Sequence, residues 1–229
     1  MPAHHRSALS RLLPLLLLAT GFVSPASGGF RPADIPEMVF SFPAAAVGLV
    51  EQGNRVVYSP DASADAAEAL RQALLRHDEK LHLTKPLAVA DSALRSVIPG
   101  LILRQGIALQ RPHRLPLALA APWLDTLLTH QKQRYCLLSW VQGYTRTAAN
   151  YRGRLVKDLG IGLLSLGAVV PVSRQAATQV GVFIYDAQQH AVVYDKTSFV
   201  AEQDPLAGVV VDRELTDLLA KDFRLTDRL

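Results

Sequence analysis

Acid–base chemistry needs carboxylates or imidazoles within reach of one another, and a few stretches of the chain place such residues close in sequence. Asp186, His190, Asp195 and Glu202 fall in or beside an expected hairpin over 179–200. A carboxylate pair across its strands would serve the acid and base steps of a hydrolysis. His77, Asp78, Glu79 and His82 form the densest titratable cluster, and a solvated helix end accounts for them. Cys136 is the only cysteine. It sits in Tyr135-Cys136-Leu137-Leu138-Ser139-Trp140-Val141, apolar on both alternating faces, the setting of a small buried hydrophobe rather than a nucleophile. Ser139, Tyr144 and Arg146 have no base beside them. Nucleophile elbow, zinc-protease helix, phosphate loop, paired-cysteine site and dinucleotide fingerprint are all missing from the sequence. We therefore expect no catalytic residue, no metal and no cofactor, with a hydrolase using the hairpin carboxylates as the alternative.

Binding is the chemistry that the sequence favours. Residues 155–172 form an apolar run punctuated by glycines, placed where a polar connection is expected. Just ahead of it Tyr144 and Tyr151 are interleaved with Arg146, Arg152 and Arg154. One reading docks Leu155, Leu159, Leu163 and Leu166 as a helix on the sheet. The other makes the segment a contact surface for an envelope protein, a second copy or an anionic membrane surface. On that reading the contact residues are Tyr144, Arg146, Tyr151, Arg152, Arg154, Leu159, Leu163 and Leu166. Nucleic acid is set aside as a partner because the charge is close to balanced.

These residues need a scaffold, and the hydrophobic pattern supplies one. With 49% hydrophobic and 19% charged residues in 229, the chain has the composition of a globular protein rather than a disordered one. Residues 38–42 and 55–59 read as strands, with 44–50 either a strand continuation or a short helix. Asp61 or Ser63 would cap a helix whose positions 66, 70, 73, 74 and 77 share a face. Residues 81–116 are interrupted by Pro86, Pro99, Gly100, Gly106 and Pro112 and read as short helices in loops. A helix near 121–132 precedes a central strand over 134–142. The hairpin follows, and a final amphipathic helix starts at Asp204-Pro205. The expected fold is α/β: helices packed on a mixed sheet, with a carboxy-terminal hairpin and closing helix, in a single domain over 37–229.

The first 28 residues carry Arg6 and Arg11, no acid, and the apolar run Leu12 to Val23, with Ala26 and Gly28 ahead of the expected cut. This is the pattern of a signal peptide. As a helix, that run of about 12 residues spans only about 18 Å, short of the ~30 Å hydrocarbon core. Residues 29–36 then read as a disordered lead-in. Formal charge is +4, and both leader arginines contribute to it.

From Arg134 onward the order of features resembles a group of bacterial envelope proteins: the curli-secretion channel family, the lipoprotein activators of penicillin-binding proteins, and the amino-terminal domain of TolB. The resemblance rests on Tyr135 to Gly143, on the aliphatic strand Gly181 to Asp186, on the returning strand Ala191 to Tyr194, and on the helix from Asp204 to Asp222. The glycine common after the Asp is replaced by Gln188-Gln189, and the lipobox cysteine is missing. The resemblance implies a periplasmic accessory or assembly protein that works by protein–protein contact, with the 155–172 insertion carrying partner contact rather than a pore.

Overall fold

Tyr135–Arg146 (β5) is apolar on both of its alternating faces, and it forms the middle of the sheet. The computed structural model describes residues 31–51, 55–110, 122–146 and 175–225. Along one side β5 pairs antiparallel with Ala176–Asp186 (β6), which pairs in turn with the edge strand Ala191–Ala201 (β7). Along the other side lie Met38–Phe40 (β1) and Ala44–Val50 (β2), both parallel to β5 and separated at Ser41-Phe42-Pro43. Pro43 has no N–H to offer a ladder, which suits it to that break. Leu83–Pro86 (β4) pairs parallel with β1, and Val56–Tyr58 (β3) pairs antiparallel with β2. The sheet is mixed, as expected from the sequence.

Alternation along β5 sends its side chains to two cores. Odd positions Leu137 and Val141, with Val180, Val182 and Ile184 of β6, face helices Pro60–Arg76 (α1) and Gly208–Phe223 (α4). Even positions Cys136, Leu138 and Trp140, with Phe183 and Tyr185, face helices Ser92–Leu109 (α2) and Pro122–His130 (α3). The result is a three-layer α/β fold with helices on both faces of one sheet.

Several expectations need correction. Order begins before Met38: Pro32–Asp34 is a one-turn 3-10 helix and Ile35 is buried in the first core, so the second half of the proposed lead-in is packed. Helix α1 is capped earlier than expected, by Ser59 rather than Asp61 or Ser63, its hydroxyl accepting from Ala62 N at 3.2 Å with Pro60 at the first helical position. Ser63 instead ties α1 to the sheet, accepting from Val47 N at 2.9 Å. Helix α4 starts at Gly208, not at Pro205, because Asp204 caps a separate turn through Leu206 N. Residues 81–110, the described part of 81–116, are not short helices in loops: they hold β4 and the 18-residue α2, which runs through Pro99.

Two tyrosines link the cores to helix carboxylates. Tyr194 donates to Asp222 at 2.9 Å and Tyr185 to Asp125 at 2.7 Å. Burial, then the carboxylate partner, pushes both phenols well above their ordinary value. Each therefore holds its proton more tightly folded than unfolded. Their contribution is complete below about pH 10, where the unfolded phenols begin to ionise, and is lost as pH rises further. Urea midpoints should fall above that pH, and less steeply in a Tyr185→Phe/Tyr194→Phe chain; equal slopes would contradict this.

Candidate interaction surface

The hairpin carboxylates do not come together as an acid–base pair. Asp186 is fully buried and is held in a fork by Arg134, with Nε to Oδ1 at 3.0 Å and Nη2 to Oδ2 at 2.7 Å. It also accepts from Gln188 N at 2.8 Å. Asp195 lies opposite Phe183, and Glu202 lies just past the far end of β7. His190 meets Asp125 of α3 instead, Nδ1 to Oδ2 at 3.0 Å, while Tyr185 occupies the other oxygen of that carboxylate. The arrangement anchors the β6–β7 turn on α3.

The other chemical candidates are also structural. Cys136 is completely buried, and burial pushes its thiol well above the ordinary value, so it is not a thiolate nucleophile. Ser139 is buried too, and its hydroxyl has no hydrogen-bond partner among the described residues. His77 closes α1 and shares a hydrogen bond with Thr216 of α4 at 3.0 Å, whereas His82 bonds Pro36 O at 3.2 Å. The two histidines are thus committed to different neighbours. His77 lines a groove of about 1340 Å³ between α1 and α4. An Arg76–Asp212 ion pair of 2.7 Å spans that groove. Among the described residues no group of three or more His, Cys, Asp or Glu is placed to hold a metal ion.

Of the predicted contact residues, Tyr144 and Arg146 are described, and Tyr151, Arg152, Arg154, Leu159, Leu163 and Leu166 lie outside the described residues, as does the whole of 155–172. Tyr144 and Arg146 are half-buried at the end of β5, with the guanidinium 5.8 Å from the Tyr144 ring. Register builds a surface around them. Gly48 of β2 pairs with Tyr144 on one side and with Tyr58 of the edge strand on the other. Glycine leaves the space between the two aromatic positions open, and Val56 leans into it: a Cβ on Gly48 would lie 2.6 Å from Val56 Cγ1. Val50 likewise pairs with Arg146 and with Val56. Tyr58 is 60% exposed and Val56 64%. One row inward, Gln142, Gln179 and Gln110 form a chain of side-chain hydrogen bonds from the sheet to the end of α2.

No family model matches this sequence, and no curated protein does. Solved structures are similar to it. One is the PelC dodecamer from Paraburkholderia phytofirmans, at 12% identity and TM-score 0.37, covering 87% of this chain and 92% of that one. Another is a protein from Xanthomonas campestris, at 11% identity and TM-score 0.36, covering 84% and 82%. A third is the LpoB C-terminal domain from Escherichia coli, at 14% identity and TM-score 0.28, covering 73% and 85%. At these values the likeness assigns neither a family nor an activity.

Sequence reasoning named Tyr144 and Arg146 as candidates but not Tyr58 and Val56, which strand pairing sets beside them. Their placement depends on β3–β2–β5 register, for which Gly48 within the apolar run of β2 was the available sign. Arg134 was missed because its partner lies 52 residues away.

Proposed function

We propose that the chain is an exported, periplasmic accessory or assembly protein of the cell envelope, acting by protein–protein contact at the end of the sheet marked by Tyr144 and Arg146. The observation that carries the reading is the surface of Val56, Tyr58, Tyr144 and Arg146 around Gly48. Tyr and Arg are the residue types enriched where interfaces bind most strongly, and β5 ends and β6 begins there. The signal-peptide pattern of residues 1–28 supports export. Among the described residues no helix is long and apolar enough to cross a membrane. The hydrolase alternative loses support because Asp186, its central carboxylate, is occupied by Arg134.

A photoreactive residue at Tyr144 in the exported chain tests the proposal. It should give a discrete adduct in envelope fractions, lost on deleting 155–172 and cut at least about fivefold by Arg146→Glu, the loss of one well-placed interface residue. The same probe at the exposed Gln72 of α1 should give none. Identical adducts from both positions, or a chain that keeps its leader and stays in the cytoplasm, would overturn it.

A further inference from the structure

Helix α2 carries apolar residues on its outer side as well as its inner one, and a helix with apolar residues all round is ordinarily buried. Here the described residues cover only half of it. Ile98, Ile102 and Gly106 face the second core. The opposite side carries Ala93, Val97, Gly100, Arg104 and Ile107, spaced alternately four and three residues apart, which keeps them on one stripe. All five are exposed, Val97 at 52% and Ile107 at 43%. The 18 residues of α2 include no acid and only two arginines.

The two glycines of α2 differ in what they touch. A Cβ on Gly106 would come within 2.1 Å of Trp140 Nε1, so the chain's own packing demands that glycine. Gly100 has nothing within 4 Å of the same position. An exposed glycine in a helix interior is less favourable than alanine by about 1 kcal/mol, and no contact among the described residues accounts for it. Close approach by another helix would.

We infer that the outer face of α2 packs against α2 of a second copy, antiparallel, with Gly100 at the two-fold axis. The stripe is self-complementary in that register. Ala93 of each copy meets Ile107 of the other, small against large, and Val97 meets the stem of Arg104, while the two Gly100 backbones approach at the centre. A two-fold interface requires this reciprocity, and small residues at a crossing allow it to be close. Charge fits as well. The one charged residue of the stripe, Arg104, lies about 7 Å along the axis from Asp91 of the other copy, within reach of an extended arginine, and the two helix dipoles oppose. A membrane surface would be served better by large side chains than by alanine and glycine at the centre of the face. One helix face is a smaller contact than the ~800 Å² per partner of a standard interface, so the dimer is weak and concentration-dependent. It uses a different surface from the one around Tyr144 and does not depend on that reading.

Cysteine scanning of the full chain tests this directly. The native Cys136 is buried and silent, so an introduced thiol reports alone. Gly100→Cys has room for its side chain and should form a symmetric disulfide on mild oxidation, since such a bond needs Cα atoms about 4.4–6.8 Å apart. We expect at least about tenfold more covalent dimer than from Gln72→Cys on α1, a ratio worth about 1.4 kcal/mol. Adding Val97→Asp should return Gly100→Cys to the level of that control. Crosslinking no greater than for Gln72→Cys, or crosslinking unchanged by Val97→Asp, overturns the inference. So does flotation of the wild-type chain with anionic lipid vesicles that Val97→Asp abolishes, which would give the face to a membrane.

Discussion

Replacing Trp140 by alanine is expected to destabilise the fold by about 3–5 kcal/mol, the range seen when a large aromatic leaves a packed core. Trp140 is 1% exposed and fills the layer between the sheet and α2. Two glycines define its slot: a Cβ on Gly181 would come within 2.3 Å of the indole Cε2, and one on Gly106 within 2.1 Å of Nε1. Neither wall has a side chain that can swing in to fill the void, so little of the cavity term is recovered by collapse. Against a total stability of about 5–15 kcal/mol for an ordinary domain, the loss leaves a marginal fold, and α2 is the element released first. Guanidinium unfolding monitored at the other tryptophan, Trp123, measures it. A loss below about 1 kcal/mol would mean that Trp140 is not the packing centre. A cycle adds discrimination: Gly181→Val should be severe alone and milder in the Trp140→Ala background, because the clashing partner is then gone.

What the sequence made legible follows from which signals are local. Strand β5 declared itself because Cys136, Leu138 and Trp140 alternate with Leu137 and Val141, and a strand apolar on both faces must be central. The hairpin and the face of α1 were read by the same periodicity. Helix α2 was not, for two physical reasons. Pro99 and Gly100 sit at its middle and break propensity. Its outer stripe carries Val97 and Ile107 besides the buried Ile98 and Ile102, so the 3.6-residue contrast that marks an amphipathic helix is weak. The cap of α1 was misplaced because Ser59, Asp61 and Ser63 all have capping side chains, and only the strand ending at Tyr58 decides among them. At the candidate surface the residue types of Tyr144 and Arg146 were visible, but their neighbours Tyr58 and Val56 arrive through two strand pairings that no local pattern encodes.

The Arg134–Asp186 pair yields the second large effect and a clear ordering of variants. Arg134→Leu should destabilise the chain by about 2–3 kcal/mol, at or just below the range for breaking a buried ion pair, because the guanidinium is itself 41% exposed and its attraction is partly screened. The carboxylate is the sensitive partner. Asp186 is fully buried, and without the arginine fork the side-chain hydrogen bond left to it among the described residues is the one from Gln188 N–H, so a charge is left where water does not reach. Asp186→Asn should be milder, about 1–2 kcal/mol: the amide keeps the volume and the bond from Gln188, and the released Arg134 can turn to solvent while still stacking on Tyr135, 4.7 Å from its ring centre. Arg134→Lys should recover part of the loss but not the bidentate geometry. Urea denaturation of the three variants supplies the test, and the ranking matters more than any single value. If Asp186→Asn proves the more damaging of the two, the carboxylate is not being held by Arg134 in the way the geometry implies. If Asp186→Asn instead leaves stability untouched, the buried fork is not a structural pair, and the carboxylate returns as a candidate for acid–base work.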